Sequence, residues 1–453
     1  MSQSLKEAVA YADRWVDIIH KPAVTEEEGK SIIEESQVNF ANYFNEGWLE
    51  YRKSVTEAGD WAATEWTGNG AVFRDVLGRE YIDCLGGFGM MDLGWSHPEV
   101  VAAVRDQLLF RSPMPSQELI DPLRGVLAKL MALITPGEIK YSFFAASGTE
   151  AVEGAIKLAK MYTQKPAFIV ALNAFHGKTM GSLSMIGKAD YREPVGLLYG
   201  GPVYHVPFGD ADAVERQLDT CKKLGIGVAG VLMEPIQGEA GAIVPPDDFW
   251  PRIRAATRHY GTLLIADEVQ TGLGRTGQLW GVDHWKVEPD ILSVAKSLGG
   301  GVMPISAFCS TEEIWQCMMH PNPFIHTNTT GGNALACAAA IAAINVTLRD
   351  RLWEQAAEKG SYFIGNLKEI AEDFPGIYKE VTGRGLLIGQ HFHTPEIGYK
   401  VASGLFKRGV LVSGTLTNAH TVRFEPALII SRDQISEVLN RLKDTLDEVN
   451  KSL

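Results

Sequence analysis

An α/β fold built on a mostly parallel sheet is what this sequence predicts, and three observations carry the prediction. From about residue 98 to residue 310, short apolar runs alternate with amphipathic stretches, the rhythm of strands and helices layered together. Several runs are apolar or nearly so, as in Val228 to Met233, Leu263 to Ala266 and Ile291 to Ala295, where Ser293 is the one hydroxyl. A strand covered on both faces reads that way. The runs also end abruptly in polar residues, and in open α/β sheets the C-terminal strand ends are where ligands bind.

The elements follow in order. Leu5, Val9, Ala12 and Val16 recur at helical spacing within residues 5–45, before charged turns at Thr25 to Lys30. Ala71-Val72-Phe73 and Tyr81-Ile82 flank Leu77-Gly78-Arg79-Glu80, a hairpin pattern. Phe143-Phe144 and Phe168-Ile169-Val170 open the series of buried strands that the three runs above complete. Gly331-Gly332 then precedes a long small-residue helix, Asn333 to Thr347. Beyond Asp350 a helix at Trp353 to Glu372 and strands at Leu386 to His391, Leu411-Val412 and Thr421 to Phe424 make a second, α+β unit. The division expected is an N-terminal segment over 1–75, a large domain over 76–345 and a small domain over 346–453, the terminal segments sharing the small domain.

Bulk properties narrow the functional classes. A chain of 453 residues with 45% hydrophobic and 21% charged content is an ordinary globular composition. A net charge of −13 argues against nucleic acid and anionic membranes, which require basic patches. Five scattered cysteines without C-x-x-C spacing fit free thiols in a reducing compartment. The charged N-terminus lacks a secretory pattern, and the longest apolar run, Ala334 to Ile344, is shorter than the ~18 residues of a membrane span. A cytoplasmic protein is expected. His391 and His393 could chelate, but no third ligand stands at metal spacing, so no metal is expected and the pair reads as a surface strand.

The chemistry concentrates at two strand ends. Leu263 to Ala266 delivers Asp267, and Ile291 to Ala295 delivers Lys296 ahead of Gly299-Gly300-Gly301. Pyridoxal 5′-phosphate chemistry needs that pair: an amine to bond the cofactor aldehyde, and a carboxylate to keep the pyridine nitrogen protonated so that the ring accepts electrons. Ser147-Gly148-Thr149 follows a strand and opens a helix, presenting free N–H groups and the positive dipole end to a phosphate. A cap closed by Glu150 is the plain structural alternative. Phe175, next to His176, can stack on the ring, Val269 can pack its other face, and Gln270 can donate to its phenolic oxygen.

Together, Ser147 to Ala151, Phe175-His176-Gly177, Glu234 to Glu239, Asp267 to Gly272, Gly274-Arg275-Thr276-Gly277 and Lys296 resemble the class III aminotransferases along nearly the whole chain. The resemblance implies the fold type I architecture of pyridoxal-phosphate enzymes, with a seven-stranded sheet. It also implies a homodimer or a dimer of dimers with active sites at the subunit interface, where Thr329 would reach the neighbour's cofactor phosphate. Thr330 and Ala334 depart from the family pattern beside that loop. Arg423 matches the family's carboxylate-binding arginine, a fork suited to a keto acid, and Glu239 matches the residue that pairs with it when no carboxylate is present. A plain structural ion pair is the alternative. Glu50 to Val55, Glu80 to Gly89, Ser116 to Leu119, Lys296 to Pro304 and Gly414-Thr415-Leu416 point to members acting on a diamine such as putrescine or cadaverine, with 2-oxoglutarate as acceptor. Gln117 and Glu118 are candidates for the distal ammonium, Phe88 for an apolar wall, and Glu118 equally for a helix start. Ornithine, acetylornithine, 4-aminobutyrate and broader ω-amines with pyruvate are the rival substrates; a racemase or aminomutase is the rival chemistry.

Overall fold

The computed structural model describes residues 3–52, 56–57, 62–115, 118–196 and 200–453. In chain order the strands are β1 (Glu65–Asn69), β2 (Val72–Asp75), β3 (Glu80–Asp83), β4 (Ile139–Ala145), β5 (Ala167–Ala171), β6 (Val203–Val206), β7 (Val228–Met233), β8 (Leu263–Asp267), β9 (Ile291–Val294), β10 (Ser306–Thr311), β11 (Tyr378–Arg384), β12 (Leu387–Phe392), β13 (Val410–Leu411), β14 (Ser413–Gly414) and β15 (Thr421–Phe424).

A seven-stranded sheet in the order β4-β10-β9-β8-β7-β5-β6 forms the centre. Only β10 runs against the others, pairing antiparallel with both β4 and β9. The apolar runs sit inside the sheet because successive side chains feed opposite faces. Phe168, Val170, Leu232 and Ile265 pack on one side, and Ile169, Val231 and Leu264 on the other. Burying each such side chain contributes about 1.5–3 kcal/mol.

The helix Gly148–Thr163 lies against one face of this sheet. Ser147 caps its start, accepting from the Glu150 N–H, and Gln164 ends it in a left-handed conformation at φ 55°. Gly154 faces the sheet: a Cβ there would stand 2.2 Å from Phe308 of β10. The helix start lies beside the ends of β8 and β9: a Cβ on Gly148 would stand 2.9 Å from Val269 and 3.5 Å from Ala295.

Two smaller sheets complete the chain. The hairpin read around Gly78 is β2–β3, extended by β1 and by β13, which pairs in parallel with β3. The other sheet runs β11-β12-β15-β14. One apolar core joins Ala71, Ile82, Cys84 and Leu93 to Ile388, Val410, Phe424 and Leu442, so residues 71–93 pack with the C-terminal strands and helix.

Several sequence expectations change. The charged stretch at Thr25 to Lys30 is a helix start rather than turns: Thr25 and Glu28 form a reciprocal cap on Glu26–Asn39. The face of Leu5, Val9 and Val16 belongs to the helix Gln3–Ile19, and all three are exposed. His391 is not on a surface. It lies on β12 between two neighbouring strands, 4% exposed, with Nε2 2.8 Å from Thr382 Oγ1 and Nδ1 2.9 Å from Thr421 Oγ1. Among the described residues no group of three His, Cys, Asp or Glu is placed to hold a metal, and no helix is long and apolar enough to cross a membrane.

Candidate active site

A cavity of about 430 Å³ opens where the ends of β4, β8 and β9 converge beneath the helix Gly148–Thr163. Asp267 closes β8 and Lys296 follows β9; the two strands are neighbours in parallel register, with Asp267 opposite Ser293. Lys296 has φ 49°, a left-handed conformation costly for a residue with a side chain. It opens a short 3₁₀ turn, Lys296–Gly299.

Both oxygens of Asp267 are engaged. Oδ1 accepts from the Val269 N–H at 3.1 Å, and Oδ2 lies 2.7 Å from His176 Nδ1. His176 Nε2 is buried without a hydrogen-bond partner. Behind the pair, Glu234 accepts from the N–H groups of Phe175 and Gly238, each at 3.0 Å. Burial pushes the Glu234 carboxyl up to about 7; His176 works against that shift, and Asp267 adds to it. Burial likewise lowers the proton affinity of the Lys296 amine. Glu425 and Glu239 oppose that depression, and Arg423 deepens it.

At the helix start, Ser147 is held locally. Its hydroxyl donates to Glu150 Oε2 at 2.7 Å, and the same carboxylate oxygen accepts from the Ala146 N–H at 3.1 Å. Ser147 therefore caps the helix, but the Glu150 side chain takes the Ala146 N–H rather than the Ser147 N–H, so no capping box closes, and the first N–H groups of the helix remain donors at the cavity wall. Thr149 belongs to a cluster the sequence did not reveal. Its hydroxyl is 2.7 Å from both Thr179 Oγ1 and Ser182 Oγ, and Glu153 Oε1 gathers the Thr179 hydroxyl with the N–H groups of Gly181 and Ser182. Gly177 at φ 118° closes over it; a Cβ there would stand 2.3 Å from Thr149 Oγ1.

A second charged cluster lies one side chain beyond the cavity wall. Gln270 bounds the cavity, but its amide donates to Glu425 Oε1 at 2.7 Å and to the Phe88 carbonyl at 3.3 Å. Glu425 Oε2 is 2.6 Å from Arg423 Nε, and Glu239 Oε1 is 2.9 Å from Arg423 Nη1. These contacts are close but off the hydrogen-bonding direction, so all three guanidinium nitrogens are buried without a directed acceptor. Glu239 Oε2 accepts from the Leu416 N–H at 2.9 Å. Burial would raise Glu239, but Arg423 and then Lys296 outweigh it and hold the carboxyl below its ordinary value.

Of the positions named for the cofactor, Ser147, Gly148, Thr149, Phe175, His176, Asp267, Val269, Gln270 and Lys296 all bound this cavity. Thr329 does not; it is exposed, one residue from Asn328, whose amide donates to Glu150 Oε1 at 2.8 Å. Phe88 walls a separate cavity of about 580 Å³, and its ring lies 5.7 Å from the Arg423 guanidinium carbon. Glu118 is exposed outside the cavity, and it does not start a helix, because Asp121 caps Pro122–Ile134. Gln117 lies outside the described residues.

The donor set fits pyridoxal 5′-phosphate: a half-buried amine that lines the cavity, a buried carboxylate on an adjacent strand, a helix start and a hydroxyl cluster around one cavity. Gly148 fits as well, since a Cβ there would stand 2.9 Å from Val269 Cγ1 and narrow the space between helix and strand end.

Comparison with known proteins agrees with this chemistry. The family described as Aminotransferase class-III matches residues 60–446. The chain is 48% identical over 439 residues to putrescine aminotransferase of Pectobacterium atrosepticum, covering 96% of this chain and 93% of that protein. The ornithine aminotransferase of Toxoplasma gondii superposes with a TM-score of 0.84 at 28% identity, covering 98% of this chain and 99% of the other. An amine transaminase from an uncultivated Pseudomonas species, solved with pyridoxal phosphate bound, superposes with a TM-score of 0.79 at 28% identity, covering 88% and 98%.

Proposed function

The chain belongs to the class III aminotransferases, which work with pyridoxal 5′-phosphate, and from that premise we propose that it moves a terminal amine of putrescine to 2-oxoglutarate. Cadaverine is the next donor in line. The products are glutamate and 4-aminobutanal, which cyclises to 1-pyrroline. The observation that carries this reading is the half-buried Lys296 and the buried Asp267 at adjacent strand ends in one cavity, in a chain 48% identical to a putrescine aminotransferase.

When bound, the cofactor supplies an aldehyde to hold the substrate amine and a ring to accept the electrons released at its carbon. The chain's own residues do the rest. Lys296 is the proton carrier: burial makes its neutral form accessible, so it can take a proton from the substrate carbon and return it. Asp267, oriented by Val269 N–H and His176, would hold a proton on the ring nitrogen. The helix start at Gly148 and the hydroxyl of Thr149 would hold the phosphate, with Ser147 fixing the turn. Phe175 and Val269 would pack against the ring, and Gln270 would lie within its reach.

The two half-reactions make opposite demands on one arginine. A diamine brings no carboxylate, so Glu239 compensates Arg423. 2-Oxoglutarate brings two, so Glu239 must yield the fork to the acceptor. Glu118 and Gln117 remain the candidates for the distal ammonium of the diamine, and Phe88 for an apolar wall. A homodimer or dimer of dimers is supported by the exposed apolar side chains Phe110, Ile120 and Leu133, with Thr329 crossing to the neighbour's phosphate.

The test is an absorption titration of the cofactor-loaded protein. Putrescine alone should abolish the yellow band, 2-oxoglutarate should restore it, and Lys296→Ala should show no turnover. A band indifferent to putrescine but bleached by ornithine or 4-aminobutyrate refutes the donor. Substantial turnover in the alanine variant refutes the role of Lys296.

A further inference from the structure

Arg423 has two carboxylate neighbours where the exchange of Glu239 for a substrate carboxylate needs one. The second, Glu425, stands two residues along the chain from Arg423. Its side chain is 1% exposed, and its Oε2 is 2.6 Å from Arg423 Nε. Three elements hold it. The Gln270 amide donates to Oε1 at 2.7 Å, and the Glu425 N–H donates to the Cys84 carbonyl at 2.8 Å. The turn Gly86–Gly89 closes over it: a Cβ on Gly86 would stand 2.0 Å from the Glu425 carbonyl oxygen, and one on Gly89 3.2 Å from Oε1. Glu239, by contrast, projects from the loop after β7, where its other oxygen meets a single backbone N–H, that of Leu416.

The asymmetry has an electrostatic consequence. With one carboxylate, arginine and partner are neutral together, and the partner's departure bares a full positive charge. Here the trio carries a net single negative charge, and when Glu239 leaves, Arg423 and Glu425 are neutral together. Resting on the aminotransferase reading above, we propose that Glu425 is a specificity-determining residue. It is a fixed counter-charge that keeps Arg423 from attracting carboxylate-bearing donors and leaves the pocket selective for a cationic amine. It acts through Arg423 and the local field, so it is a positioning residue rather than a catalytic one. Among the charged side chains acting on the Lys296 amine, Glu425 is also the leading one that favours its protonated form. The cost to the enzyme falls on the acceptor: 2-oxoglutarate binds against a partly cancelled charge.

The test substitutes Glu425→Gln, nearly isosteric and neutral, and Glu425→Asp, which keeps the charge. Glutarate, a dicarboxylate without a keto group, is titrated calorimetrically into the cofactor-loaded enzymes. The glutamine variant should bind it about tenfold tighter or more, and the aspartate variant should stay within about threefold of the parent. In turnover, the ratio of kcat/KM for 4-aminobutyrate to that for putrescine should rise about tenfold or more in the glutamine variant. Unchanged or weaker glutarate binding, or equal losses with both donors, overturns the proposal. Glu425→Ala carries the same expectations should the glutamine variant fail to fold. If the parent enzyme ignores putrescine, the donor assignment fails, and the glutarate measurement still decides the role of Glu425.

Discussion

Replacing Arg423 by alanine would leave Glu239 and Glu425 buried around the space it vacates, at 4% and 1% exposure. Each now stands within 3 Å of the guanidinium, at 2.9 and 2.6 Å. Removing one partner of a buried ion pair costs about 3–5 kcal/mol, because the other charge stays desolvated. Two carboxylates share this one cation, yet the cost does not double, since proton uptake by either relieves it. The expectation is a loss of about 4 kcal/mol in unfolding free energy near pH 8. The sign of the pH dependence follows from the carboxylates. Without the cation their folded-state pKa values rise above the unfolded ones, so their contribution is intact in acid and lost as pH rises through the folded values. The deficit should therefore shrink by about 2 kcal/mol or more at about pH 5.5. Urea unfolding of the apoenzyme at both pH values measures it. Adding Glu239→Gln should restore part of the loss. In rapid mixing, restoration of the yellow band by 2-oxoglutarate should slow about a hundredfold, a charged fork being worth about 3 kcal/mol, while the putrescine phase changes far less. A pH-independent deficit, or a double variant less stable than the single one, refutes the electrostatic argument. Equal slowing of both phases refutes the alternating role of Glu239 and Arg423.

Two further outcomes follow from the cavity walls. Burial raises Glu234 from 4.5 to about 7, so its contribution to stability is intact below about pH 4.5 and lost as pH rises through 7. Between about pH 5.5 and about pH 8 the loss amounts to about 2 kcal/mol. Glu234→Gln should flatten that part of the stability profile, and a profile identical to the parent's contradicts the assignment. Gly177→Ala would place a Cβ 2.3 Å from Thr149 Oγ1 and 2.8 Å from Ser182 Oγ at a backbone φ of 118°. It should weaken cofactor retention about tenfold or more in equilibrium dialysis, by about 1–3 kcal/mol of crowding; unchanged retention would mean that the hydroxyl cluster does not hold the phosphate.

What was legible in the sequence depended on how local its cause is. β5, β7, β8 and β9 could be read because strands buried on both faces are apolar or nearly so. β10, Ser306 to Thr311, could not: it mixes serine and threonine with alanine, cysteine and a single phenylalanine, and the buried Ser310 hydroxyl is satisfied by the Asp290 carbonyl at 2.7 Å. β6, Val203 to Val206, is too short for a periodic signal. His391 was misread because polar residues in a strand usually mark its solvent side, whereas every residue of β12 is buried and this ring is satisfied by two threonines. At the site, Lys296 and Asp267 announce themselves as strand-end residues. Glu425 and the Thr179–Ser182–Glu153 cluster do not, because their meaning lies in partners far away in sequence; Gln270 and Glu425 are 155 residues apart.

That distance also bears on why the site holds so much buried acid. Glu234, Asp267, Glu239 and Glu425 are each at most 5% exposed, and the side chains of Lys296 and Arg423 face them as the local cations. Such an excess is unfavourable for folding alone, since each desolvated carboxylate costs several kcal/mol unless it is paired or protonated. The structure accommodates it locally through backbone N–H donors to Asp267, Glu234 and Glu239, and through a carboxyl at Glu234 raised to about 7. On the function proposed above, the remainder would be compensated by what binds: a protonated ring nitrogen at Asp267 and the ammonium groups of a diamine. On that function, a site whose empty form is short of positive charge would favour cations, which would tie the choice of substrate to the same electrostatic imbalance that limits the stability of the apoenzyme.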